Sequence, residues 1–228
     1  MGRNSKANSD QDGGKKPRKR TSGLLRDKDR TKARMVAAVG KVLQKKGYPG
    51  LTAPNIARAA GVDKKLVWTY FGGVDNLIEE YITQKDFWKS GSKDYVSDML
   101  SEPDKVGKEQ IYTLLQNQFD VLLKDKSLQK IIHWEMGEKS KVLRKIADER
   151  EEVGERIFEI LEADRDDSNV NLRATLALML GGIYYLSLHA KSNGSKCCGI
   201  DINEEAGKKQ IDDTLRNIIY CAFTNGKT

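Results

Sequence analysis

The chain has 228 residues, with 40 Lys/Arg against 33 Asp/Glu and a formal net charge of +7. That length accommodates one large domain, or a small one joined to a larger one. Three cysteines without a C-x-x-C pair exclude a disulfide framework, because adjacent Cys197 and Cys198 would bridge only with strain, and they fit a reduced intracellular protein. The charge is unevenly placed. Residues 1–76 carry 18 Lys/Arg against 6 Asp/Glu, whereas residues 77–228 carry 22 against 27. Such asymmetry points to a polyanion-binding segment joined to something that is not one. No signal peptide is read at the polar, basic N-terminus, and a cytoplasmic location is expected. The most apolar run, Leu172 to Leu188, contains Arg173, Thr175, two glycines and Ser187, and reads as a buried helix rather than a membrane span.

Residues 1–26 have almost nothing to bury and read as a disordered arm. Lys15, Lys16, Arg18, Lys19 and Arg20 make it basic; it reads either as a solvated tail or as an arm lying along DNA. From Asp27 onward the periodicity is helical. Met35, Val36, Val39, Val42 and Leu43 define a first stripe, which Gly47 ends. Thr52 stands as an N-cap for a short helix through Ala60, with Pro54 tolerated in its first turn. Asp63 caps a second helix, Lys64 to Phe71, and a longer helix runs from about Asp75 to Ser90. Gly91 and Pro103 bracket a weaker stretch. Helical faces follow at Ile111–Leu122, Leu128–Met136, Val142–Leu161, 170–190 and 204–224; an acidic loop lies at Asp164–Asn169 and a polar loop at 192–201. Nine helices and no sheet are expected: an all-α chain with an N-terminal three-helix helix-turn-helix domain over 27–74 and a larger helical domain over 75–228.

The informative stretch is 52–71. Two short helices are joined at Gly61, where a side chain would clash. Ile56, Ala57 and Ala60 fit the inner face, Val62 sits between the helices, and Val67 and Phe71 anchor the second. Lys64, Lys65, Thr69 and Tyr70 are left facing outward, with Leu66 and Trp68 at the edges. Between Thr31 and Val74 the only acidic residue is Asp63, against eight Lys/Arg. A surface of that kind suits a phosphate backbone, to which an indole N–H and a phenol O–H can also donate.

Thr52, Ile56-Ala57, Ala60-Gly61-Val62, Trp68, Tyr70, Phe71 and Leu77 give the stretch from about Ala33 to Tyr81 a spacing that resembles the N-terminal domain of TetR-family repressors. The resemblance implies that Thr52 caps the first helix of the motif and touches phosphate. It implies that Lys64, Lys65, Leu66 and Thr69 lie in or beside the major groove, and that Trp68 and Tyr70 contact phosphate. Two positions depart from the family pattern. Trp68 stands where Tyr is usual, and Val74 stands where a phosphate-contacting Lys is usual, a loss for which the arm at 15–20 would compensate. The family also implies a homodimer through helices 170–190 and 204–224 that reads palindromic double-stranded operator DNA. It further implies a pocket for an unidentified small-molecule effector in the second domain, for which Tyr112, Phe119, His133, Trp134, Met136, Tyr184 and Tyr185 are the candidates; no cofactor and no metal ligand set are assigned.

The expected function is therefore a sequence-specific transcriptional regulator, a ligand-responsive repressor rather than an enzyme. An activator or an effector-independent regulator is the alternative. An all-helical enzyme would have only Cys197/Cys198 as a redox pair, or His133 with Glu135 as acid-base groups, and neither has a partner at suitable spacing.

Overall fold

The computed structural model describes residues 21–88, 92–163, 171–194 and 196–224, with side chains from Arg26 onward. Among them are ten α-helices and no strand: α1 Thr21–Lys46, α2 Ala53–Ala60, α3 Lys65–Phe71, α4 Val74–Lys85, α5 Lys93–Ser101, α6 Lys108–Lys124, α7 Lys126–Gly137, α8 Lys141–Glu162, α9 Leu172–Asn193 and α10 Glu205–Thr224. No helix among the described residues is long and apolar enough to cross a membrane.

Several boundaries differ from expectation. Helix α1 begins at Thr21, inside the segment expected to be a disordered arm. Once Met35, Val36, Val39, Val42 and Leu43 are buried, each further N-terminal residue adds to an existing nucleus at little cost, so low apolar content does not stop the helix there. The basic cluster at 15–20 and the acidic loop at 164–169 lie outside the described residues. The weak stretch between Gly91 and Pro103 is helix α5, held by buried Val96 and Met99 at three-residue spacing, and this makes ten helices rather than nine. Helix α4 ends at Lys85, not Ser90. Asp86 leaves the helix with φ −67° and ψ 129° and carries its carboxylate into the interior, where Arg150 waits. Helix α9 runs on to Asn193, and the polar stretch after it holds an ordered turn.

Apolar side chains gather in two clusters. The first joins α1, α2, α3 and α4 through Met35, Val39, Ile56, Val67, Leu77 and Ile82, and takes in Ile131, Trp134, Val142, Leu143 and Ile146 from α7 and α8. The second packs α5, α6, α9 and α10 with the far ends of α7 and α8 around Phe119, Leu122, Ile132, Ile183 and Ile219. Helix α4 therefore packs with the N-terminal helices while its C-terminal end abuts the second cluster. At about 18 Å, its twelve residues link the end of α3 to the start of the larger domain's core.

Candidate functional site

The local chemistry of 52–71 explains its geometry. Thr52 is extended, and its carbonyl accepts the Ile56 N–H at 2.9 Å. Its hydroxyl caps no backbone N–H, contrary to the capping role expected of it. Pro54 removes the N–H of the second helical position, one of the two a capping side chain ordinarily takes, and the exposed hydroxyl is left available. Gly61 adopts φ 64° and ψ 45°, where a side chain is strained, and ends α2. Arg34 completes that end: its Nη2 donates to the carbonyl oxygens of Ala60 at 2.6 Å and Gly61 at 3.2 Å. A cation at a helix C-terminus is doubly favoured, by the free carbonyls and by the dipole. Asp63 Oδ1 accepts the Lys65 N–H at 2.7 Å and starts α3, as expected, and Gly72 at φ 77° ends it.

Burial divides α3 cleanly. Val67 is fully buried, Phe71 and Leu66 are half-buried, and Lys64, Lys65 and Thr69 are exposed. Trp68 is 53% exposed, an unusual state for an indole. Thr69 Oγ1 turns back to donate to the Lys65 carbonyl at 3.1 Å. Tyr70 is half-buried, with Lys28 Nζ of α1 5.7 Å from its ring centroid. The exposed side of α3 thus presents two ammonium groups and an indole, with the half-buried Tyr70 phenol at its edge, groups able to donate to phosphate oxygens. The eight basic residues of the sequence reading do not all share that role. Arg34 caps α2, Lys46 donates to Asn55 Oδ1 at 3.1 Å, and Lys32 Nζ lies 5.8 Å from the Phe71 centroid.

Residues 36–81 match the family model of the bacterial regulatory proteins, tetR family. The matched segment is a tetR-family DNA-binding domain whose helix-turn-helix is α2–α3, and the chain is a DNA-binding transcriptional regulator. No curated protein matches the sequence. Similar solved structures include native NalD, the secondary repressor of the MexAB-OprM multidrug efflux pump in Pseudomonas aeruginosa, at 17% identity over 89% of this chain and 100% of that one, with a TM-score of 0.62. The transcriptional regulator FadR from Bacillus subtilis, in complex with stearoyl-CoA, shares 15% identity over 85% of this chain and 98% of its own, with a TM-score of 0.56. A TetR family transcription regulator from Marinobacter aquaeolei VT8 shares 14% over 87% and 97%, with a TM-score of 0.57. At these identities the likeness is one of fold.

Beyond the matched segment, the helices hold a cavity of roughly 260 Å³ between α6, α8 and α9. Its wall is mainly aliphatic, from Ile111, Leu114, Leu115, Ile157, Leu176 and Leu180, with Trp88, Phe158 and Tyr184 as aromatics and Glu135, Arg150, Glu151 and Arg173 as charged groups. Of the pocket residues expected from sequence, only Tyr184 lines it. Phe119 is core, Tyr112 bonds to Asp212 at the α6–α10 contact, and Trp134 packs at a tilt on Tyr48 of the DNA-binding segment, ring centroids 4.5 Å apart. His133, Met136 and Tyr185 are exposed or nearly so. Ring chemistry does not pick out this cavity, because its wall is built by the helical stripes of α6, α8 and α9. One signal was legible: Arg150 falls on the stripe Leu143, Ile146, Val153, Ile157 of α8, where a charge must find a buried partner.

That partner is a pair of carboxylates. Arg150 Nε donates to Asp86 Oδ2 at 2.7 Å, and its Nη1 to Glu135 Oε2 at 2.7 Å. The Arg150 side chain is 9% exposed and that of Asp86 1%. Burial alone would lower the guanidinium pKa, but the charges of Asp86 and Glu135 outweigh it and hold the pKa above its ordinary value. Asp86 Oδ1 also accepts the Trp88 backbone N–H at 3.0 Å, which holds the chain where Trp88 joins the cavity wall. Gln118 Nε2 donates to the Tyr184 hydroxyl at 2.6 Å, and burial raises the Tyr184 pKa, with Arg150 opposing.

Proposed function

We propose that this protein is a ligand-responsive repressor that binds a palindromic operator as a homodimer. The exposed face of α3 carries the reading: Lys64, Lys65, Leu66, Trp68, Thr69 and Tyr70, with the unused Thr52 hydroxyl beside them, form the operator contact. The arm residues Lys15, Lys16, Arg18, Lys19 and Arg20 add phosphate contacts in place of the lysine absent at Val74. Two copies are needed because one recognition helix reads too few base pairs. An apolar groove between α9 and α10 supports the dimer. Leu178, Tyr185 and Ile218 are 78%, 57% and 41% exposed, and Gly181 and Gly182 have open space where a Cβ would stand. A second copy seated there covers these side chains and brings helix backbones close.

The cavity supports the effector. A mainly apolar chamber with a few charged groups in its wall suits an amphipathic small molecule, and the similar FadR fold was solved with stearoyl-CoA. Occupancy would be read at the wall. Trp88 lies two residues beyond the Asp86–Arg150 pair that pins the end of α4, and Glu135 adjoins Trp134, which packs on Tyr48. A ligand that favours another arrangement of Trp88 or Arg150 moves α4, and α3 with it, and shifts the population away from operator.

The test is selection of genomic fragments by the full chain across a salt series. The reading expects a small set of fragments retained well above background, with affinity falling steeply as salt rises. Uniform retention of all fragments would overturn the operator reading. A single 25.6 kDa species in sedimentation at micromolar concentration would overturn the dimer.

A further inference from the structure

The turn between α9 and α10 places two thiols side by side in a rigid frame that neither the DNA-binding nor the effector reading uses. The Cys197 N–H donates to the Ile200 carbonyl at 3.0 Å, and the Ile200 N–H returns to the Cys197 carbonyl at 2.9 Å, closing a two-residue reverse turn over Cys198 and Gly199. Both central residues have positive φ, 52° and 80°, and Cys198 is the one non-glycine with positive φ among the described residues. Such a turn favours Asn-Gly, and a cysteine in its first central position costs about 1–2 kcal/mol. The frame is held firmly. Ile202 is buried in the core, Lys191 Nζ donates to Asn203 Oδ1 at 2.8 Å, and the Asn203 N–H donates to Asp201 Oδ1 at 3.0 Å. Cys198 is exposed and Cys197 half-buried, with burial and its neighbour thiol raising the Cys197 pKa.

We propose that Cys197 and Cys198 form a dithiol site for a trivalent thiophile that takes two sulfurs at a bent angle, the class of the monosubstituted trivalent arsenicals. The other uses of the pair fit less well. Neighbouring Cα atoms stand about 3.8 Å apart, below the usual disulfide range, so oxidation to a direct S–S bond strains the ring. Inserting one atom between the sulfurs relieves that strain. A tetrahedral metal site needs further donors, and no group of three or more His, Cys, Asp or Glu suited to a metal occurs among the described residues. A linear two-coordinate ion needs its sulfurs on opposite sides, which adjacent residues cannot provide. Capture involves no redox change: from the hydrated arsenical, R–As(OH)2, two S–H and two As–O bonds break, two S–As and two O–H bonds form, and two waters leave. The site is separate from the core cavity and stands or falls independently of the operator reading.

Phenylarsine oxide is the probe, used on the full folded chain. Intact mass should show one phenylarsenic group per chain, and the count of free thiols should fall from three to one. Cys221→Ser should keep the adduct, whereas Cys197→Ser and Cys198→Asn should lose its resistance to excess monothiol. Asn suits positive φ, so Cys198→Asn keeps the turn and should melt no lower than the parent, which separates lost chemistry from lost fold. Stripping the adduct with a small 1,2-dithiol should need at least about ten-fold more competitor for the folded chain than for the urea-unfolded chain. Equal competitor for the two states, or an adduct on Cys198→Asn as durable as on the parent, would overturn the proposal.

Discussion

Replacing Arg150 by Met tests the pair that ties α4 to the cavity wall. The substitution keeps most of the side-chain volume and removes the guanidinium. It leaves Asp86, 1% exposed, buried without that partner, and Glu135, 26% exposed, able to reach water. Removing one member of a buried pair costs about 3–5 kcal/mol, most of it the penalty on the remaining buried charge. The Glu135 arm is half-solvated and contributes the smaller part, so Glu135→Gln alone should cost about 1–2 kcal/mol. For a chain of this size 1 kcal/mol moves Tm by roughly 2–4 °C, so Arg150→Met should melt about 6–20 °C lower. Thermal and urea denaturation followed by circular dichroism measure it. The double variant Asp86→Asn with Arg150→Met removes both charges and should recover part of the loss, giving a coupling of about 1–3 kcal/mol in a double-mutant cycle. A loss under about 1 kcal/mol for Arg150→Met, or additivity in the cycle, would refute the reasoning, because the pair would then behave as a solvated surface pair.

The remaining predictions concern DNA, assembly and backbone. Lys65→Ala should weaken operator binding by a similar factor across operator variants and reduce the salt slope by about 0.9, read by fluorescence anisotropy at several salt concentrations; an unchanged slope removes Lys65 from the phosphate contacts. Leu178→Glu places a charge on the proposed two-fold face in both copies and should convert the dimer to monomer in sedimentation velocity, with unchanged helicity. Two glycines should respond in opposite senses. A Cβ at Gly154, inside α8 and facing the cavity, meets nothing within 4 Å, so Gly154→Ala should stabilise by about 0.5–1 kcal/mol. A Cβ at Gly207 would lie 2.0 Å from the Asp201 carbonyl oxygen, so Gly207→Ala should destabilise by about 1–3 kcal/mol or more. Urea midpoints distinguish the two, and equal shifts would contradict the packing described.

Much of the DNA-binding segment is fixed by local signals, which sequence carries directly. Gly61 and Gly72 end their helices at positive φ, Asp63 starts α3, and the spacing of Ile56, Ala57, Ala60 and Val67 decides which side is buried. Those choices leave Lys64, Lys65, Trp68 and Thr69 outside, so the exposed face of α3 follows from periodicity within twenty residues. Contacts that join distant segments are another matter. Arg34 reads as one more phosphate-seeking cation until α1 lies beside the end of α2, 26 residues away, where free carbonyls claim it. Asp86 reads as the middle of a helix until Arg150, 64 residues on, draws its carboxylate inward and ends α4. Trp134 and Glu135 are neighbours in sequence, yet one packs on Tyr48 and the other faces the cavity, because successive residues of α7 point about 100° apart. The sequence by itself determined the all-helical architecture, the helix-turn-helix and its outward face. Only the tertiary structure decided which charges are spent in the interior and where the cavity lies, since the free energy of a buried charge or an unfilled space depends on groups that the chain brings together from far apart.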